Sequence, residues 1–156
     1  MRLLIISILI FFVSSPLTFA QKERKDFVIE ITYVDWLRQP FVKYTLNKTH
    51  LIVQTSSYED FKIIKSTLYK RKISKSVSDS IYSFLSSFKV DTSKANCNNP
   101  VLDGLYKTYF FEGYGLGQTL IKNYSCITTS AAKLQSLIDG QLKKKKYKYQ
   151  NLKQSE

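Results

Sequence analysis

Near the front of the chain, apolar and polar positions alternate. From Asp26 to Trp36, Phe27, Ile29, Ile31 and Tyr33 share one parity and Val28, Glu30 and Thr32 the other. Successive side chains of a strand point to opposite faces, so this alternation predicts a strand buried on one side. Gln39-Pro40 ends it, because proline cannot donate to a ladder. Phe41 to Leu46 and His50 to Thr55 predict two more strands, joined at Asn47-Lys48-Thr49 by a turn that suits asparagine. Phe61 to Tyr69 predicts a fourth.

The period then changes. Val77, Ile81, Phe84, Leu85 and Phe88 are spaced to form one stripe on a helix over 77–88, with Ser76 and Asp79 as its capping box. Its other face is serine-rich. Asp91 to Pro100 reads as a loop of turn residues. Leu105 to Phe111 and Gln118 to Tyr124 predict a strand pair, with Gly113, Gly115 and Gly117 forming a flexible hairpin connection between them. Ala131, Leu134, Leu137, Ile138 and Leu142 form the stripe of a second helix, capped by Thr128 or Thr129, which frays into Lys143 to Lys146. Strand pairs with short turns imply antiparallel pairing. The expected fold is therefore α+β, an antiparallel sheet of about five to six strands with two helices on one face.

The first twenty residues follow another rule. Met1-Arg2 is a short positive start, Leu3 to Val13 is apolar apart from Ser7, and Ser14-Ser15-Pro16 breaks a helix. Thr18-Phe19-Ala20 places small residues before Gln21, the layout of a secretory signal removed after Ala20. The apolar core is about half of the ~20 residues a spanning helix needs. The expected organisation is a signal peptide (1–20), one domain (21–142) and a basic Lys/Tyr-rich tail (143–156), in a protein that is periplasmic or extracellular.

Export changes the reading of the two cysteines, Cys97 and Cys126. In an oxidising compartment an even count suggests a disulfide. It would close a loop of about 29 residues. The formal net charge is +12, of which Arg2 alone belongs to residues 1–20. That excess favours anionic partners. It concentrates in the tail, where Lys143, Lys144, Lys145, Lys146 and Lys148 interleave with Tyr147 and Tyr149. Such a run can track an anionic lipid surface or an envelope glycan. It can equally be a solvated helix end. Export argues against nucleic acid as the partner. A second basic run, Lys70-Arg71-Lys72 with Lys75, precedes the first helix, where cations oppose the helix dipole.

Chemistry is sparse. Gly113-Tyr114-Gly115-Leu116-Gly117 has no Lys-Ser/Thr ending and precedes a strand rather than a helix, so it is a hairpin and not a phosphate loop. Gly113, Tyr114 and Gly115 remain candidates for a mobile, aromatic-tipped binding loop. His50 is the only histidine, too few for a zinc site or a triad. Glu30, Asp35, Asp103 and Glu112 lie at or near strands, and two of them converging would suit a carboxylate hydrolase. Asn47-Lys48-Thr49 and Asn123-Tyr124-Ser125 match the glycosylation acceptor pattern. The residues assign no catalytic group, metal or cofactor. They point first to a small non-catalytic binding module for a partner protein or envelope polymer, then to electrostatic docking on anionic lipid or glycan, and last to a hydrolase.

Overall fold

The computed structural model describes residues 25–35, 41–59, 62–96, 105–123 and 127–148. Strands β1 (Phe27–Asp35), β2 (Phe41–Asn47), β3 (His50–Glu59) and β4 (Lys62–Lys72) precede helix α1 (Lys75–Ser87). Then come β5 (Lys94–Asn96), β6 (Leu105–Gly113), β7 (Gly117–Asn123), β8 (Ile127–Thr128) and helix α2 (Thr129–Gln141). A 3-10 turn, Lys145–Tyr147, follows. Six strands form one antiparallel sheet in the order β4-β3-β2-β1-β6-β7. The fold is α+β, as the alternation predicts.

The alternation sets which face is buried. Phe27, Ile29, Ile31 and Tyr33 of β1 pair in register with residues of β2 and β6 that face the same side, among them Tyr44, Leu46, Tyr109 and Phe111. All of these are buried, together with Ile81 and Leu85 of α1 and Ala131, Leu134 and Ile138 of α2. Both helices therefore sit on one face. The other face carries Glu30, Thr32, Lys43 and Thr45, with Val28, Ile52, Phe110 and Leu120 scattered between them.

Three expectations are corrected. The first helix begins at Lys75, with Ser74 and not Ser76 as its cap; the Ser74 hydroxyl accepts from Val77 N at 3.4 Å. Asp79 makes no capping box, and Ser78, read as polar surface, is buried. The loop read over 91–100 contains β5, which pairs with β8. That ribbon was hidden because three residues are too few to show a period. Lys70, Arg71 and Lys72 lie on β4 rather than at a helix N-terminus, so the dipole conflict falls away except at Lys75.

The start of α2 shows why β5 is there. The first N–H groups of a helix lack intrahelical partners. Here Thr129 N donates to the Ser93 carbonyl (2.9 Å) and Ser130 N to that of Asp91 (3.3 Å). Ala131 N donates to the Thr128 hydroxyl at 3.2 Å. The buried Ser130 hydroxyl accepts in turn from Asp91 N at 2.6 Å. Asp91 also accepts from Ser93 N, and this hydrogen bond holds its carboxyl below the usual carboxylate range.

Between sheet and α2 lies a short polar chain. The Tyr33 hydroxyl donates to Gln135 Oε1, and Gln135 Nε2 donates to Asp139 Oδ1 at 3.2 Å. The neighbouring Tyr109 hydroxyl is buried without a hydrogen-bond partner of good geometry. Burial raises its pKa above the ordinary 10.0; Tyr33 moderates the shift, but its own proton is committed to Gln135. A raised tyrosine contributes stability fully below the pH at which the unfolded residue ionises, and that contribution is lost as pH rises through the folded value. Tyr109→Phe removes an orphaned hydroxyl and keeps the ring. It is expected to raise stability by about 1 kcal/mol and to reduce alkaline sensitivity above pH ~10. Guanidinium unfolding at neutral and alkaline pH reads both effects, and a clear loss of stability would show that the hydroxyl has a partner.

Candidate functional site

The Lys-rich tail is not a free helix end. Leu142 closes α2 with its N–H on the Asp139 carbonyl and is itself buried. The chain then turns back at Lys145–Tyr147. The Tyr147 ring packs on Tyr69 of β4 with centroids 4.8 Å apart. Its carbonyl accepts from the hydroxyl of the fully buried Tyr44 at 2.8 Å. Residues 143–148 are thus fastened at both ring and backbone of Tyr147. Lys143, Lys144, Lys145 and Lys146 remain exposed around this anchor, and Lys148 is half-buried. Lys146 Nζ lies 5.0 Å from the Tyr147 ring centroid.

The same corner receives the second basic run. Arg71 Nη1 donates to the Gln141 carbonyl at 2.6 Å, at the negative end of the α2 dipole. Lys70 and Lys72 flank it and are exposed. Two basic segments, about seventy residues apart in sequence, therefore meet through Tyr69–Tyr147 and Arg71–Gln141. Neither 69–75 nor 142–148 contains an acidic residue. A positive field gathered on one corner attracts anions more strongly than the same charges spread over the surface.

The glycine hairpin is real but not loose. Gly115 (φ 72) and Gly117 (φ 71) take the left-handed conformation the turn requires. A Cβ at Gly113 would stand 2.5 Å from Leu116 Cδ1 and 2.6 Å from the Asp26 carbonyl oxygen. Tyr114 N donates to that carbonyl at 3.0 Å, and the Tyr82 hydroxyl donates to the Tyr114 carbonyl at 2.9 Å. The expected mobile loop is instead pinned on both sides of Tyr114, whose side chain stands 62% exposed. It borders an open depression of about 610 Å³ lined also by Phe27, Val28, Glu112 and Gln118.

Of the carboxylates, Asp26 and Glu112 both border this depression. Glu30 is ion-paired with Lys43 at 2.7 Å. Glu112 accepts from Gln118 Nε2 at 3.3 Å. Asp26, at the depression, is ion-paired with Lys48 at 2.9 Å. The side chain of Asp35, and Asp103, lie outside the described residues. His50 Nδ1 contacts the Thr49 hydroxyl at 2.9 Å, and no cluster of three metal-ligating groups forms among the described residues.

Asn47 Oδ1 accepts from Thr49 N, the Thr49 hydroxyl and His50 N, so it builds the predicted turn. Asn123 is buried, which closes it to glycosylation in the folded chain. Cys97 and Cys126 lie outside the described residues, as do residues 1–20. No described helix is long and apolar enough to cross a membrane.

The fold and site define a two-layer α+β domain with a preformed cationic corner. Compared with known protein families, characterised proteins and solved structures, the chain matches none.

Proposed function

We propose that this protein is an exported, non-catalytic docking module whose basic corner binds polyanionic matter, either anionic lipid headgroups or acidic envelope glycans. One observation carries the reading: the cations of β4 and of the tail converge on a single anchored corner. Lysines on a fastened turn lose less conformational freedom on binding than lysines on a free tail. Each contributes roughly 1 kcal/mol near an anionic surface.

The test is retention on immobilised dextran sulfate, a soluble-polymer probe for polyanion affinity. The protein is expected to be retained at low salt and released as salt rises, because screening shortens the reach of its charges. Changing Lys143, Lys144, Lys145 and Lys146 together to Gln is expected to weaken retention by at least about a hundredfold. Retention that survives high salt, or that ignores the four substitutions, would remove the corner as the contact.

A second reading, contact with a partner protein through the hairpin, is favoured by one feature. Tyr114 is an exposed aromatic on a pinned backbone, a pre-organised anchor of the kind interfaces use.

A further inference from the structure

The β4 edge narrows the target of the docking module just proposed, and rests on that reading. Six large apolar side chains stand exposed among the described residues, and three of them are on this one strand: Ile63 (53%), Ile64 (42%) and Leu68 (36%). Lysines alternate with them, at Lys62, Lys65, Lys70 and Lys72. β4 is an edge strand, paired only with β3. Among the described residues, pairing between β2 and β3 reaches Phe41–Ser56, and pairing between β3 and β4 runs through Ser57–Ile64 to Glu59–Lys62. The other end of β4 leads back to the basic corner at Tyr69–Lys72.

Lysines on an edge strand have an ordinary use, which is to block pairing with another sheet. That use does not explain three exposed apolar groups beside them. Ile63 and Ile64 are sequence neighbours on a strand and so point to opposite faces. Both are exposed, so a partner protein covering one face would leave the other isoleucine in water. An acidic glycan would pair with the lysines and leave all three apolar groups without a role. A bilayer interface fits both features, because it receives apolar side chains on either side of an edge and presents anionic headgroups to the cations. Headgroup phosphates and water would also satisfy the outward N–H groups of the edge.

We infer that the β4 edge lies along an anionic lipid surface, with Ile63, Ile64 and Leu68 entering the headgroup layer and Lys62, Lys65, Lys70, Lys72 and the tail lysines holding it there.

Co-sedimentation of the full chain with phosphatidylcholine vesicles, with and without phosphatidylglycerol, tests this beside dextran sulfate retention. Every variant keeps residues 1–20, so differences between variants report on β4 alone. Wild type is expected to prefer the phosphatidylglycerol vesicles. Ile63→Ser, Ile64→Ser and Leu68→Ser together are expected to lower that binding roughly tenfold while leaving dextran sulfate retention unchanged. Ile63→Ser alone, far from the core, gives a smaller loss in the same direction and guards against misfolding of the triple variant. Equal vesicle binding by wild type and both variants, or retention on dextran sulfate without preference for phosphatidylglycerol, overturns the lipid assignment and leaves the docking reading standing. Loss of dextran sulfate retention by wild type would remove both.

Discussion

The protein recovered from an oxidising compartment is expected to weigh two hydrogens less than its reduced form, and to begin at Gln21. The missing hydrogens belong to Cys97 and Cys126. Their neighbours make the case, since the cysteines lie outside the described residues. Asn96 of β5 and Ile127 of β8 are antiparallel partners. Cys97 directly follows the first and Cys126 directly precedes the second. The bond would clamp the β5–β8 ribbon whose neighbouring residues Asp91 and Ser93 hold the start of α2. Closing a loop of about 29 residues contributes roughly 3–4 kcal/mol. Reduction should then lower the melting temperature by about 10–15 °C. If both thiols alkylate without reductant in the folded, exported protein, the pairing is wrong.

Leu134→Ala is expected to cost about 2–5 kcal/mol, seen as a fall in melting temperature of roughly 10 °C or more. Leu134 is fully buried, on the same stripe of α2 as the buried Ala131, Ile138 and Leu142. This stripe and the Tyr33–Gln135 bond hold α2 on the sheet. Truncation leaves a cavity that close-packed strands cannot collapse to fill. Leu137→Ala, one turn on but only partly buried, should cost clearly less. A fall of only a degree or two for Leu134→Ala would mean that α2 is not seated as described. Such a result would also weaken the basic corner, since Gln141 at the end of α2 receives Arg71.

Much of the fold was legible because it is written in local period. Alternation over 27–33 named the buried face of β1 residue by residue. The stripes of both helices were legible for the same reason. What escaped was short, masked or nonlocal. Ser78 and Tyr82 are buried on α1 on the same helical stripe as Ile81 and Leu85, a spacing masked by their polar groups. β5 is too short to announce itself. The hairpin was legible from its glycines, but its rigidity was not, because the restraints on Tyr114 come from Asp26 and Tyr82, far away in sequence.

The candidate site divides in the same way. Lys143–Lys146 and Lys70–Lys72 were visible as two separate runs, the first explicable as a solvated helix end and the second at odds with a helix dipole. Nothing in their spacing could reveal that they meet. The sequence by itself determined the longer elements, the buried face of β1 and the sign of the charge, because these follow from residue type and period along one segment. Only the tertiary structure decided that β4 is an edge, that Tyr147 docks on Tyr69, and that Arg71 reaches the end of α2. These depend on strand order and on where a helix ends against a sheet. Contacts between distant segments are set by the packing of the whole core, which no local pattern records.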